Sequence, residues 1–258
     1  MNIKPKKSLS QHFLRDDNIA RKITGSLTGF GNYNKVLEVG PGMGILSKHL
    51  MNNSGFDWYG IEYDKELVDY FIHQFPYAVS RIKHGDFLNY DLDSIFENEK
   101  FGLIGNFPYN ISSQIILKAL EHRNQLPEIV GMFQKEVALR ISSKHGNKTY
   151  GILSVLCQAF YDVEILFFVG ENVFIPPPNV TSAVIRMKIK EGVADFKNEK
   201  QFFQIVKKAF NQRRKTLRNA LKQYIPPEAM KTPLFDKRAE QLSVEDFISL
   251  TEYMVQNR

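Results

Sequence analysis

The chain of 258 residues predicts an α/β fold: a mostly parallel, doubly wound sheet followed by a small all-helical domain. Three observations predict it. Short apolar runs alternate with amphipathic helical stretches at βαβ spacing through the first 190 residues. Several of these runs end on a glycine or a carboxylate, which belongs at the rim of a sheet rather than inside it. Beyond residue 190 the pattern is helical throughout. The expected domains are therefore 1–190 and 191–258.

The elements follow in order. Residues 16–27 read as a first helix with acidic residues in its opening turn. Lys35–Val39 is a short apolar strand followed by a glycine cluster, and 45–51 is a helix. Residues 58–61 form a second strand ending at Glu62. Residues 64–75 form an amphipathic helix with Asp64 at its N-cap. A third strand, 82–85, ends at Asp86. Residues 101–105 are a buried strand, 111–120 a helix and 129–133 another strand. Residues 135–143 and Ile152–Phe160 read as helices, then 163–169 and 183–189 as a closing pair of strands. A break falls at 190–199. After it come helices at 202–210, 215–223 and 244–254, punctuated by Pro226, Pro227 and Pro233. There is no internal repeat.

Hydrophobic residues make up 43% of the chain, enough for a sizeable core. No apolar run has the length needed to span a bilayer, and the basic residues 1–10 lead into no apolar region, so no secretory signal is expected. The single cysteine, Cys157, lies in an apolar stretch and is expected as a core residue. One cysteine excludes an intrachain disulfide and fits a reducing cytoplasm. The net charge of +6 is unevenly spread. Between Gln201 and Tyr224 stand seven basic residues and no acidic one. They are Lys207, Lys208, Arg213, Arg214, Lys215, Arg218 and Lys222. Subtracting those seven from the 34 basic residues leaves 27 against 28 acidic ones. The positive charge is thus a local property of the late segment and of the Lys4, Lys6, Lys7 tail, and such a patch is a footprint for nucleic acid.

The sequence Glu38-Val39-Gly40-Pro41-Gly42-Met43-Gly44 follows the first strand and opens a helix. Glycines there permit a tight turn and close approach of a ligand to the backbone. A dinucleotide fingerprint needs a further glycine at position 45, which is Ile45, so a hydride-transfer reading is disfavoured. Glu62, at the end of the second strand, is placed to accept hydrogen bonds from a ribose diol. Asp86, at the end of the third, is placed to accept from an adenine amine, with Phe87 beside it to cover the ring. Three carboxylates, Glu38, Glu62 and Asp86, at successive strand ends repel a pyrophosphate but suit a sulfonium carrying an α-amino group. The cofactor expected is S-adenosylmethionine, with no metal. Further along, Asn106-Phe107-Pro108-Tyr109 sits between a strand and a helix. A carboxamide, a rigid turn and an aromatic ring at the carboxyl end of a strand suit a flat, amine-bearing base.

These pieces resemble, in order, the small-subunit ribosomal RNA adenine N6-dimethyltransferase family over nearly the whole length. Ser10-Gln11-His12-Phe13-Leu14 is similar to the family's Q-N/H-F-L segment. The glycine turn, Glu62, Gly85-Asp86 and Asn106-Phe107-Pro108-Tyr109 match its methyltransferase motifs. Phe174-Ile175-Pro176-Pro177-Pro178-Asn179-Val180-Thr181-Ser182-Ala183-Val184 resembles F-x-P-P-P-x-V-x-S-A-V. Gln212-Arg213-Arg214-Lys215-Thr216-Leu217-Arg218-Asn219 resembles Q-R-R-K-T-L-R-N, and Arg238-Ala239-Glu240-Gln241-Leu242-Ser243 the closing R-x-E-x-L-S. Single motifs occur elsewhere; this ordered set is specific. His12 stands where many members have Asn, and Phe107 where many have Leu or Ile.

The resemblance implies a Rossmann-like methyltransferase domain and a C-terminal helical domain that contacts RNA. It implies S-adenosylmethionine as donor, and two adjacent adenines near the 3′ end of small-subunit rRNA as acceptors, within an assembling 30S particle. It implies cofactor contacts at His12, Leu14, Gly40, Glu62, Asp86 and Asn106; the residues themselves add Glu38, Gly42 and Phe87. For catalysis, the Asn106 side-chain oxygen and the Pro108 carbonyl are expected to accept the two N6 hydrogens, with Tyr109 and Phe174 on the two faces of the base. Lys207, Lys208, Arg213, Arg214, Lys215 and Arg218 are expected to meet RNA phosphates. A monomer is expected. The alternatives are a large-subunit adenine methylase of the macrolide-resistance type, a non-catalytic assembly factor and, more weakly, a DNA adenine methylase.

Overall fold

The computed structural model describes residues 3–192, 198–224 and 231–256. Its centre is a seven-stranded sheet of order β4-β3-β2-β5-β6-β9-β7. The strands are β2 (Lys35–Val39), β3 (Asp57–Glu62), β4 (Ile82–His84), β5 (Phe101–Asn106), β6 (Glu128–Gln134), β7 (Tyr161–Val169) and β9 (Ser182–Ile189). Five of them, β4 to β6 in sheet order, run parallel, and β9 runs antiparallel to β6. Every residue of β5 before Asn106 is buried, and so is every residue of β6 before Gln134. Strands covered on both faces read as unbroken apolar runs, and this is why they were legible as sheet. The strand order reverses between β2 and β5, so the crevice beyond their carboxyl ends lies at a topological switch point.

Helices alternate with these strands. Asp16 caps α1 (Asp17–Thr24), its side chain accepting from Ile19 N at 3.0 Å. The glycine turn leads into α2 (Ser47–Met51), which starts two residues later than the periodicity suggests. Asp64 caps α3 (Lys65–Gln74), as expected, accepting from Glu66 N at 3.1 Å. Leu67, Val68 and Phe71 form the buried face of α3, and Phe71 stacks on Trp58 of β3 at 5.1 Å. A short α4 (Asp93–Phe96) precedes β5, and α5 (Ser112–Glu121) follows it. Besides α4, two short strands have no counterpart in the sequence reading: β1 (Phe13–Leu14) pairs antiparallel with β8 (Phe174–Ile175), Leu14 opposite Phe174.

The remaining helices are α6 (Lys135–Ser142), α7 (Ile152–Phe160), α8 (Glu199–Asn211), α9 (Leu217–Ala220) and α10 (Val244–Gln256). The helix expected at 215–223 is reduced to α9. Leu217 N donates to Lys237 O at 2.8 Å and Thr216 bridges Arg238, so the backbone there is tied to a distant segment. The break at 190–199 falls in part, at 193–197, outside the described residues, and Pro226 and Pro227 lie outside them too. Pro233 opens a tight turn at Pro233–Asp236.

The chain divides into two compact units, Met1–Ala138 with Glu164–Ile189, and Leu139–Val163 with Lys190–Arg258. Residues 139–163 go with the part of the chain from 190 on. The reason is packing: α7 lies against α8 and α10, with Phe160 6.0 Å from Phe203. Cys157 on α7 is fully buried, and burial pushes its thiol well above the ordinary range, as suits a core residue. In the first unit the core gathers Val36, Trp58, Phe71, Ile104, Val130 and Val184 around the sheet. No helix among the described residues is long and apolar enough to cross a membrane.

Candidate active site

A cavity of about 280 Å³ opens at the carboxyl ends of β2, β3 and β5. Its floor is the glycine turn. Gly40 has φ +70°, a conformation that costs other residues energy, and a Cβ there would meet nothing within 4 Å, so a side chain would project into open space. Gly40 N donates to Ile61 O at 2.9 Å, tying the turn to β3.

Glu62 ends β3 and is 7% exposed. Its Oε2 accepts from Gly42 N at 3.0 Å and its Oε1 from Asp64 N at 2.9 Å, so two backbone donors fix the carboxylate at the cavity wall. Burial pushes its carboxyl above the ordinary range, and the two N–H bonds pull the other way. Asp86 follows β4 and caps a single turn, Phe87–Asn89, accepting from Leu88 N at 2.9 Å and Asn89 Nδ2 at 2.7 Å. Asp86, Phe87 and Leu88 line the cavity beside Gly40, Gly42 and Glu62. The residues fit the expected donor: a glycine floor without side chains, fixed carboxylates for a cation and a diol, and an apolar ring.

The other wall is built by β5 and the N-terminal segment. Asn106 ends β5, and its Nδ2 donates to His12 O at 3.0 Å. A main-chain carbonyl only accepts, so the amide's NH₂ must face it, and Oδ1 is left without a protein partner among the described residues. Pro108 and Tyr109 line the cavity. The Pro108 carbonyl receives one bond, from Ile111 N at 3.2 Å, and keeps a second lone pair. Tyr109 is half-buried; its hydroxyl and Ser182 Oγ are 2.6 Å apart, and burial pushes its phenol above the ordinary range. The His12 ring stacks beside Tyr109 at 5.5 Å, and its Nδ1 donates to Pro176 O at 2.8 Å, a bond that places the proton on Nδ1.

Phe107 also lines the cavity but is 1% exposed. Its ring packs edge-on against Phe133 at 5.1 Å and lies over Gly105 and Gly131, which face each other across β5 and β6. A Cβ on Gly131 would come within 2.3 Å of that ring. The larger side chain at this position is therefore accommodated by two glycines behind the site.

Three expected site residues are placed otherwise. Phe174 is 2% exposed and sits in the core with Leu14, away from the cavity; the expected stacking on a second face of the base is not offered by this ring. Its facing is set by its pairing with β1, which turns Phe13 to the cavity and Leu14 inward. Leu14 is 5% exposed and supports the strand rather than lining the cavity. Glu38 is 1% exposed, beneath the glycine turn, where its Oε2 accepts from Ser47 Oγ at 2.6 Å and Trp58 Nε1 at 2.8 Å. Burial pushes its carboxyl up to about 7. Sequence reasoning missed Ser10, Gln11 and Phe13, which line the cavity from the N-terminal side, and the Ser182 partner of Tyr109. The signal for the first three was the Gln11-His12-Phe13 segment itself; for Ser182 it was a serine at the head of an apolar strand, where it is fully buried.

The basic window belongs to the second unit and splits in two. Arg213 is engaged: its Nη2 donates to Lys148 O at 2.6 Å, and its Nε lies 3.9 Å from Glu240. Arg218 pairs with Asp236 at 2.7 Å, and the Lys208 ammonium sits 3.2 Å from the centre of the Tyr224 ring. Lys207, Arg214, Lys215 and Lys222 are exposed and make no such contact among the described residues. Of the six residues expected to meet phosphates, Lys207, Arg214 and Lys215 are therefore the exposed ones without such a contact, and Lys208, Arg213 and Arg218 are engaged within the chain.

The chain resembles known proteins over nearly its whole length. A protein of Cytophaga hutchinsonii named ribosomal RNA small subunit methyltransferase A is 52% identical, covering 98% of both chains. One of the same name from Flavobacterium johnsoniae is 54% identical, covering 97% of this chain and 95% of that one. Among solved structures, a dimethyladenosine transferase from Plasmodium falciparum superposes with a TM-score of 0.78 at 23% identity, covering 95% and 98% of the two chains. The 23S rRNA methyltransferase ErmE gives 0.70 at 21%, covering 95% and 100%. At these identities the two structures speak to the fold, an α/β methyltransferase sheet with an appended helical part. The family model for ribosomal RNA adenine dimethylase matches residues 2–256, so the glycine turn, the carboxylates at the strand ends and the Asn106–Tyr109 corner are those of a chain that belongs to the ribosomal RNA adenine dimethylase family.

Proposed function

We propose that the protein transfers methyl groups from S-adenosylmethionine to N6 of two adjacent adenines near the 3′ end of small-subunit rRNA, giving N6-dimethyladenines during 30S assembly in the cytoplasm, and that it acts as a monomer. The observation that carries this reading is the state of Asn106: its NH₂ is spent on His12 O, so Oδ1 is the free end of the amide at a cavity already furnished for the donor. An acceptor there suits an exocyclic amine.

S-adenosylmethionine would supply an electrophilic methyl group on a positively charged sulfur, the sulfur keeping the electron pair of the broken S–CH₃ bond as the neutral thioether S-adenosylhomocysteine. Glu62 and Asp86 would hold the donor's ribose and adenine, and Gly40 and Gly42 would let it approach the backbone. In the first transfer Asn106 Oδ1 and the Pro108 carbonyl accept the two N6 hydrogens of adenine, and in the second one of them accepts the single hydrogen that remains, which draws the nitrogen lone pair out of conjugation and aims it at the methyl carbon. Positioning is the main catalytic contribution, and the same two acceptors stabilise positive charge growing on N6. The N6 proton becomes acidic once the nitrogen carries the methyl group and leaves to water, so no strong general base is required. Tyr109 is the platform for the base, worth about 1–3 kcal/mol as a stacking contact, and the adenine must be splayed out of its stack to reach it. The exposed basic residues Lys207, Arg214, Lys215 and Lys222 supply phosphate contacts from the C-terminal helical domain.

Asn106→Ala is expected to abolish methyl transfer to 30S subunits from methylase-deficient cells while leaving the thermal unfolding curve in place. Near-normal turnover would sink the mechanism. The same assay run with 50S subunits decides between small- and large-subunit substrates; methylation confined to 50S would support the macrolide-resistance type instead.

A further inference from the structure

A charged residue on the buried face of α5 stands out. Lys118 is 9% exposed, on the same face as Ile115, Ile116 and Ala119. A lysine buried to that extent is rare without a partner, and no carboxylate closes an ion pair with it among the described residues. Its Nζ instead donates to Leu88 O at 3.2 Å and to Tyr90 O, and lies 5.3 Å from the centre of the Phe87 ring. Burial holds its pKa below the ordinary lysine range, while Glu121, Asp86 and Asp91 oppose that effect. Among the described residues, its hydrogen bonds and its ring contact all go to the 87–90 segment, beside the turn that presents Asp86, Phe87 and Leu88 to the cavity. Tyr90, held by its carbonyl, lays its ring against Gly85, another residue of the cavity wall: a Cβ on Gly85 would stand 2.7 Å from it. Lys118 itself does not line the cavity.

We propose that Lys118 is a positioning residue for the adenine end of the cofactor, a buried cationic strut that holds the 85–90 turn by two main-chain carbonyls and the face of Phe87. The inference rests on the assignment of this cavity to S-adenosylmethionine. Because α5 starts just after the Asn106–Tyr109 corner, the helix that follows the acceptor groups also carries the strut for the donor groups. Neither its hydrogen bonds nor its ring contact involves an acceptor residue, so its loss acts on donor affinity and not on the chemical step.

The test uses the full chain with S-adenosylhomocysteine and free adenosine as calorimetric probes, alongside steady-state methylation of 30S subunits. Lys118→Met keeps the length and apolar stem and removes the donors. It is expected to weaken both probes and raise the KM for S-adenosylmethionine about tenfold or more, the scale of a lost charged hydrogen bond. The kcat at saturating donor and the KM for 30S are expected to stay within about twofold. Lys118→Arg, which still reaches carbonyls, is expected to restore most of the affinity. If the methionine variant does not fold, Lys118→Gln, with one amide donor on a shorter stem, is read in the same way. Unchanged probe affinity in a folded variant overturns the inference and leaves the cofactor assignment standing. So does a loss of kcat at unchanged KM. A parent protein that binds neither probe overturns both.

Discussion

The residues that carry the proposed chemistry differ in how far the sequence disclosed them. Asn106, Pro108 and Tyr109 were legible because an amide, a proline and a ring directly after an apolar run must sit at a strand end. Glu62 and Asp86 were legible for the same reason. Glu38 was misplaced by one layer: it lies within β2, and side chains alternate between the faces of a sheet, so its neighbours Ser47 and Trp58 could not be foreseen. Its burial has a testable consequence. The native carboxyl titrates at about 7 against an ordinary 4.5, so between those values the folded state holds a proton that the unfolded state has released. The stability this confers is fully present below about 4.5 and is lost as pH rises to about 7. Both donors to Glu38 use one oxygen, so a proton on the other breaks neither bond. Glu38→Gln is therefore expected to fold and to remove this contribution to the pH dependence of Tm. A variant whose Tm falls with rising pH as steeply as the parent's, across the interval between those two values, would contradict it.

At the scale of elements, the long strands and helices were readable because each carries enough residues to show a period. The pair β1 and β8 was not, since a two-residue strand has no period, and this one gap cost the correct facing of Phe174. A second feature invisible in the sequence is the cross-strand pair Gly105 and Gly131, which leaves a slot for the Phe107 ring. Phe107 N donates to Met132 O at 3.2 Å, so ring and backbone together hold the corner that carries Asn106 and Pro108. Gly131→Ala is expected to push on the ring and lower kcat about tenfold or more, as small misplacements of reacting groups do, with donor affinity unchanged. Adding Phe107→Leu, which relieves the nearer of the two rings that the new Cβ meets (Phe107 at 2.3 Å, Phe133 at 2.7 Å), should recover part of that loss. If the double variant is as slow as Gly131→Ala alone, the slot is not what positions the corner.

For the molecule as a whole, the change of pattern at residue 190 suggested two domains, while the compact units of the structure are drawn from discontinuous segments. Residues 139–163 pack with the C-terminal helices although they fall within the run of strands, a non-local preference that no local pattern records. The charge of that unit is likewise not uniform. Arg213 caps carbonyls of the loop before α7, and Gly146 N of the same loop donates to Glu240 O at 2.7 Å, whereas Arg214 and Lys215 face solvent. Arg213→Gln is expected to lower Tm by a few degrees and leave the salt dependence of 30S binding intact. Arg214→Gln with Lys215→Gln should leave Tm in place and reduce the slope of log K against log salt by roughly one for each phosphate no longer neutralised. The reverse assignment of the two effects would refute this division of labour.

The sheet order also leaves two strands, β4 and β7, with one neighbour each among the described residues. An open edge is where one chain recruits another into a growing aggregate, and the two edges are defended differently. β4 is three residues long and presents Lys83 and His84. β7 is nine residues long, and along it Asp162 and Glu164 stand exposed, the latter paired with Arg186 of β9 at 2.7 Å. Brevity guards one edge and charge the other, so neutralising Asp162 and Glu164 together would leave the fold its core while opening its longer flank to self-association.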